Sequence, residues 1–270
     1  MVVMALSANA EARQGAVDRV LTDLGTVPPG LGDELFAIAD LLDSSAQLRK
    51  ALTEPALPLD ARRAVLRQLF TGKVSAVAIT VLEAGVGQNW RSGLALVAAI
   101  DRQGVRAVLL SAEQEGRLDE VEETLFRFGR IVDGDHALRT TLGDRNAPLA
   151  AREALVTTLL QGKVPAETVA LAKRSVAARN HTFDLTLESY LLISAALRRR
   201  SLATVVVAHP LSADQEARLQ AALTAQVKRP VNLMVVVDPS LVGGVRVEIG
   251  DEIIDGSMAG RFEAARRQLA

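Results

Sequence analysis

Apolar residues in the first part of the chain recur at helical spacing. Val17, Val20, Leu21 and Leu24 stand at i, i+3, i+4 and i+7, one stripe of a helix. The stretch Thr-Val-Pro-Pro-Gly (26–30) breaks the chain, and Leu35 to Leu42 form the next stripe. Glu-Pro-Ala-Leu-Pro (54–58) breaks it again. Ala61 to Phe70 then resumes helical spacing through Val65, Leu66 and Leu69, and Gly72 closes that helix as a C-cap. Segments 75–87 and 92–103 predict further short helices.

The pattern repeats. A shift of 90 residues lays 48–74, LRKALTEPALPLDARRAVLRQLFTGKV, on 138–164, LRTTLGDRNAPLAAREALVTTLLQGKV, without a gap and with 12 of 27 positions identical. Upstream, Leu35, Ile38, Leu41 and Leu42 fall on Leu125, Phe128, Ile131 and Val132. Self-similarity at a fixed offset marks a duplicated unit, and this period is too long for a solenoid. The expectation is two copies of one helical bundle, the second ending near residue 200. A second likeness, LSAEQEGRL (110–118) to LSADQEARL (211–219), has another offset. Both contain Ser-x-x-Gln, which predicts a capped helix start in each rather than a third repeat.

After Arg198–Arg199–Arg200 the grammar changes. LATVVVA (202–208) is short and β-branched and predicts a buried strand. Ser212 caps a helix to about Lys228. VNLMVVVDP (231–239) is a strand stopped by Pro239. In 244–250, Val245, Val247 and Ile249 face one way and Arg246 and Glu248 the other. Gly250-Asp251 predicts a two-residue hairpin turn, Asp255-Gly256 a further turn, and Ser257 the N-cap of a last helix to about Leu269. The fold class is mainly α: two tandem helical bundles, followed by a small α+β domain with a mixed sheet.

Composition narrows the chemistry. Half the chain is apolar but only 3% is aromatic, so the core rests on Leu, Val and Ala, a helix-forming mix. With 31 basic and 32 acidic residues there is no global field to attract nucleic acid. Cysteine is absent, which removes disulfides, thiolate metal sites and cysteine nucleophiles. The N-terminus lacks the pattern of a signal peptide, and no apolar run spans a bilayer.

Candidate reactive groups do not assemble into a motif. TGKV (71–74) and QGKV (161–164) place Val where a phosphate loop needs Ser or Thr. Gly243-Gly244 leads into a strand, not a helix. Asp251, Glu252 and Asp255 lack the alternation of a calcium loop. Ser257 lacks the flanking glycines of a nucleophile elbow, and His136, His181 and His209 are scattered. The arginine run is a helix end without interleaved aromatics, and Trp90 is a packing residue. The residues therefore predict a non-enzymatic protein with no cofactor. Two rival readings are a helical-repeat nucleic-acid-binding protein and a hydrolase built on Ser257 or a histidine.

Residues 237–269, VDPSLVGGVRVEIGDEIIDGSMAGRFEAARRQL, resemble the C-terminal signature of the delta subunit of the F-type ATP synthase, whose mitochondrial counterpart is the oligomycin-sensitivity-conferring protein. Asp238, Pro239, Gly243, Gly244, Gly250, Asp251, Asp255, Gly256, Ser257 and Arg261 match that pattern as structural residues. Residues 116–142 resemble the family's second helix and the connection after it. The resemblance implies a delta-type bundle over 105–200, a stalk-binding α+β domain over 201–270, and an extra copy of the bundle over 1–104. Duplicated bundles are similar to those of actinobacterial delta subunits; without a membrane anchor, this chain resembles the stand-alone form. The implied role is a stator. The helical part binds N-terminal helices of alpha subunits on the catalytic head, and the C-terminal part binds the b-type peripheral stalk. No nucleic acid is implied as a partner. The membrane, at its cytoplasmic face, is reached only through partners.

Overall fold

The computed structural model describes residues 2–178, 182–227, 231–239, 241, 244–249 and 252–255. Residues 1–191 form one compact unit and 192–270 another. The first opens with α1 (Val2–Asp23), α2 (Leu31–Ser44), α3 (Ala46–Thr53), α4 (Leu59–Phe70), α5 (Ala76–Val86) and α6 (Gly93–Gln114). It continues with α7 (Leu118–Gly134), α8 (His136–Gly143), α9 (Leu149–Leu160), α10 (Ala166–Ala177) and α11 (Phe183–Ser201), the last running past the division between the units.

The 90-residue offset holds element by element. Helices α3 and α4 shift onto α8 and α9 at both ends, and α5 starts at 76 where α10 starts at 166. Interior positions follow: Leu35, Ile38, Leu42, Leu52 and Leu66 are buried, and so are Leu125, Phe128, Val132, Leu142 and Val156. Caps follow too. Ser45 accepts the amide of Leu48 at the start of α3, and Asp135 accepts that of Leu138 at the start of α8. Gly72 and Gly162 have φ of 78° and 75°, the left-handed turn that ends α4 and α9. Arg62 donates from Nη1 to the carbonyl of Val86 at 3.0 Å, and Arg152 does the same to Val176 at 3.0 Å. Both tie a helix end to its neighbour.

Helix α6 belongs to both copies. Its span matches α11 as the last helix of a bundle and α1 as the first, each 90 residues away. It packs against α1, α2, α3 and α5 on one side and α7 and α10 on the other. Residues Gln103 to Leu110 are all buried, two successive turns with no solvent face. A helix buried all round is one that neighbours surround. Residue 104, where the resemblance places the edge between the copies, is therefore in the middle of a helix. The sequence expectation of a short helix over 92–103 is corrected: the helix continues to Gln114. Ser111 lies inside it rather than at a cap, and Gln114 binds the turn after α1, accepting from Val27 N at 3.1 Å and donating to Gly25 O at 2.9 Å.

The second unit has strand β1 (Leu202–Val207), helix α12 (Ala213–Val227), and strands β2 (Asn232–Val237), β3 (Val245–Ile249) and β4 (Glu252–Asp255). The order is β2-β1-β3-β4, with β1–β2 parallel across the α12 crossover and the other pairs antiparallel. A parallel pair needs such a crossover, and a mixed sheet results. Ala203, Val205, Val207, Val247 and Ile249 form the core with Leu223 of α12. Here Ser212 does begin a capping box: its Oγ accepts from Gln215 N, and Gln215 Oε1 accepts from Ser212 N at 2.8 Å.

Candidate functional site

The signature residues within the described part gather at one end of the sheet. Val207, the last residue of β1, lies opposite Val237 and Val245. Asp238 follows Val237, and its amide donates to Val207 O at 2.8 Å. Pro239 follows it in a turn and donates nothing to the ladder. Gly244 precedes Val245 with φ of 89°, a conformation that disfavours any side chain. Asp255 closes β4 opposite Arg246. These residues turn strands at the rim of a sheet. Gly243, Gly250, Asp251, Gly256, Ser257 and Arg261 lie outside the described residues, as does the expected final helix; Ile249 pairs with Glu252 across the 250–251 connection.

The other sequence candidates stay apart. The Gly-Lys-Val segments are helix-ending turns, and Lys163 Nζ donates to Leu159 O at 2.9 Å. His136 starts α8 and His209 is exposed in a loop; His181 lies outside the described residues. Trp90 packs and donates from Nε1 to Gly85 O at 2.7 Å. Among the described residues no three His, Asp or Glu side chains converge as a metal site, and no helix is long and apolar enough to cross a membrane.

What the molecule presents instead is apolar surface. Helices α2, α3 and α4 border an open groove of about 570 Å³ lined by Ile38, Leu41, Leu48, Leu69, Phe70 and Val74. Leu41 at its edge is 47% exposed, and Ile131, its counterpart in the second copy, 60%. In the second unit, Met234 and Val236 are exposed on β2, on the face away from the core. Exposed apolar patches on a folded chain mark docking surfaces.

Charged side chains cluster where helices meet. Asp18 of α1 is buried against α6, accepting from Gln103 Nε2 at 2.7 Å and Arg102 Nη2 at 3.2 Å, with Arg106 Nη1 at 3.5 Å. On α10, Arg174 reaches across the copies. It donates to both carboxylate oxygens of Asp40 on α2, at 2.8 and 2.9 Å, and to Asp101 on α6. Its guanidinium lies 4.8 Å above the ring of Phe36 on α2. Tyr190 of α11 is buried nearby. Burial raises the Asp101 carboxyl above its ordinary value despite Arg174, and pushes the Tyr190 hydroxyl up. Burial acts to lower Arg174, and the two carboxylates raise it on balance. Sequence reading missed this cluster because a charge on an amphipathic helix reads as a solvent face. The usable signal was the repeat: positions 84, 130 and 191 hold Ala, Arg and Leu where 174, 40 and 101 hold Arg, Asp and Asp.

Comparison with known proteins gives these surfaces a context. The family described as ATP synthase delta (OSCP) subunit matches residues 100–269, starting within α6. "ATP synthase subunit delta" of Kineococcus radiotolerans is 40% identical over 97% of this chain and 96% of its own. The protein of that name from Streptomyces avermitilis is 41% identical over 97% and 98%, and that from Streptomyces coelicolor 40% over 97% of each. Likeness at this level over both helical copies and the sheet domain makes the chain a member of the ATP synthase delta (OSCP) subunit family.

Proposed function

We propose that this chain is the delta subunit of an F-type ATP synthase, a non-catalytic part of the peripheral stalk that holds the catalytic head against the torque of the rotor. The observation that carries this reading is the match of about 40% identity along nearly the whole chain to proteins named ATP synthase subunit delta. The geometry supports it. A stator element needs stiff helices and apolar surfaces for amphipathic partner helices, and gains nothing from groups that move protons or bind metal. Polar side chains at helix junctions such as Asp18, Arg62, Arg152 and Arg174 are engaged in ion pairs or hydrogen bonds with neighbouring helices. The helical part, 1–200, is assigned to N-terminal helices of alpha subunits, and 201–270 to the b-type stalk, so that the membrane is reached through partners.

The test is capture with the purified chain as bait. Alpha and b subunits should both be retained, and a chain ended at Ser201 should keep the alpha-subunit helix and lose b. Removing the chain should leave the head hydrolysing ATP while proton-driven synthesis fails. Loss of hydrolysis by the isolated head would place this chain in the chemistry and defeat the reading.

A further inference from the structure

The two copies share α6 and both pack on it. Packing on that helix holds each bundle near the axis, and a contact between the bundles away from the axis resists rolling with a longer lever arm. Arg174 makes such a contact. It sits on α10 of the second copy, with its side chain 13% exposed, and its partners are Asp40 and Phe36 on α2 of the first copy and Asp101 on α6. One planar fork therefore meets three groups on two other helices, a task suited to arginine rather than lysine.

The charged members of the cluster are not repeated in the two copies. At the positions related by 90 residues stand Ala84, Arg130 and Leu191 in place of Arg174, Asp40 and Asp101, while the ring is kept, as Phe126 for Phe36. Phe36, under the guanidinium, is 8% exposed, and Phe126 is 56% exposed. The charge at 40 is reversed at 130, where Arg130 pairs with Asp133 on its own helix. The bridging set exists once, at the seam. Its energetics suit a register device better than a source of stability. A half-buried carboxylate whose ionisation burial opposes is weak support for folding, but it rewards one geometry over others.

We infer that Arg174 is a positioning residue that locks the two helical bundles against rolling about α6, so that surfaces on both copies are held at one fixed spacing. The lock is a property of the chain alone and stands or falls independently of the stator reading.

The chain has no cysteine, so one introduced pair can be labelled uniquely. Thr80 on α5 and Thr158 on α9 are exposed, one in each copy. With spin labels at both, pulsed dipolar spectroscopy on the full chain should give a single narrow distance distribution. Arg174→Ala should broaden it at least twofold, Arg174→Lys less, and Asp40→Asn, at an exposed position, in the same direction. Arg152→Ala, which breaks a tie inside the second copy, should lower the unfolding temperature and leave the width unchanged. A folded Arg174→Ala chain with the parental width overturns the lock. If that variant does not fold, an unchanged width in Asp40→Asn overturns it equally.

Discussion

The first and second helical copies share a backbone plan and differ in what fills the space between helices. In the first, Asp18 meets Arg102, Gln103 and Arg106 of α6 inside the bundle. By sequence, the position 90 residues on from Asp18 is Val108, and 102, 103 and 106 fall on Leu192, which is 64% exposed, Ile193 and Ala196, so the polar set is not repeated. The same helices form in both settings, so the plan is set by the apolar positions and the caps, and the polar cluster is an addition. Its physical meaning is selectivity. A buried carboxylate with cationic and amide partners fixes where α1 lies along α6, and it exacts a penalty when any member is removed.

The sharpest way to break this comparison is Asp18→Ala. It should cost about 3–5 kcal/mol, because Arg106 stays buried without its carboxylate. Chemical denaturation of the full chain measures it, and a loss below about 1 kcal/mol would mean the two interiors are energetically alike. Next comes Gly104→Ser, which gives the first copy the residue of the second, Ser194. A Cβ at Gly104 would stand 2.5 Å from the Phe36 ring, so overpacking of about 1–3 kcal/mol is expected. A neutral result would mean that Phe36 swings out as Phe126 already does.

Ser212→Ala should cost about 1 kcal/mol through loss of the capping box before α12, whereas Ser111→Ala, inside α6, should leave stability within about 0.5 kcal/mol. Equal losses would contradict the different places given to two nearly identical sequences. The smallest effect is a slope. The folded-state Asp101 carboxyl lies above its unfolded value, so its stabilising contribution is fully present below the unfolded pKa and is lost as pH rises through the folded one. Between about pH 3 and pH 7 the stability of the parent relative to Asp101→Asn, measured by denaturation, should fall as pH rises. A relative stability that rises with pH would reverse the sign assigned to burial.

Most of the helical part was legible in the sequence because duplication prints the same apolar spacing twice. Breaks such as Pro58 and Pro148, and glycines such as Gly72 and Gly162, punctuate both copies alike. The sheet domain was legible for another reason: Val245, Val247 and Ile249 alternate cleanly with Arg246 and Glu248. Helix α6 defeated the reading because periodicity reports one apolar face and cannot tell that a second bundle covers the other. Arg174 defeated it because its partners lie 73 and 134 residues away, and nothing local distinguishes a seam residue from a solvent one. Signature residues that set turns, such as Gly244, were recognised through the whole motif, since a lone glycine carries little information.

The shared helix also constrains how such a gene can be cut or joined. A boundary at the midpoint of the repeat would split α6 and leave each half with an exposed apolar side. Only a junction before residue 93 yields a shortened product in which the remaining copy keeps its first helix, and the family match beginning at residue 100 falls within that retained piece. The repeating step is therefore about 90 residues, five helices rather than six, with α6 serving both copies.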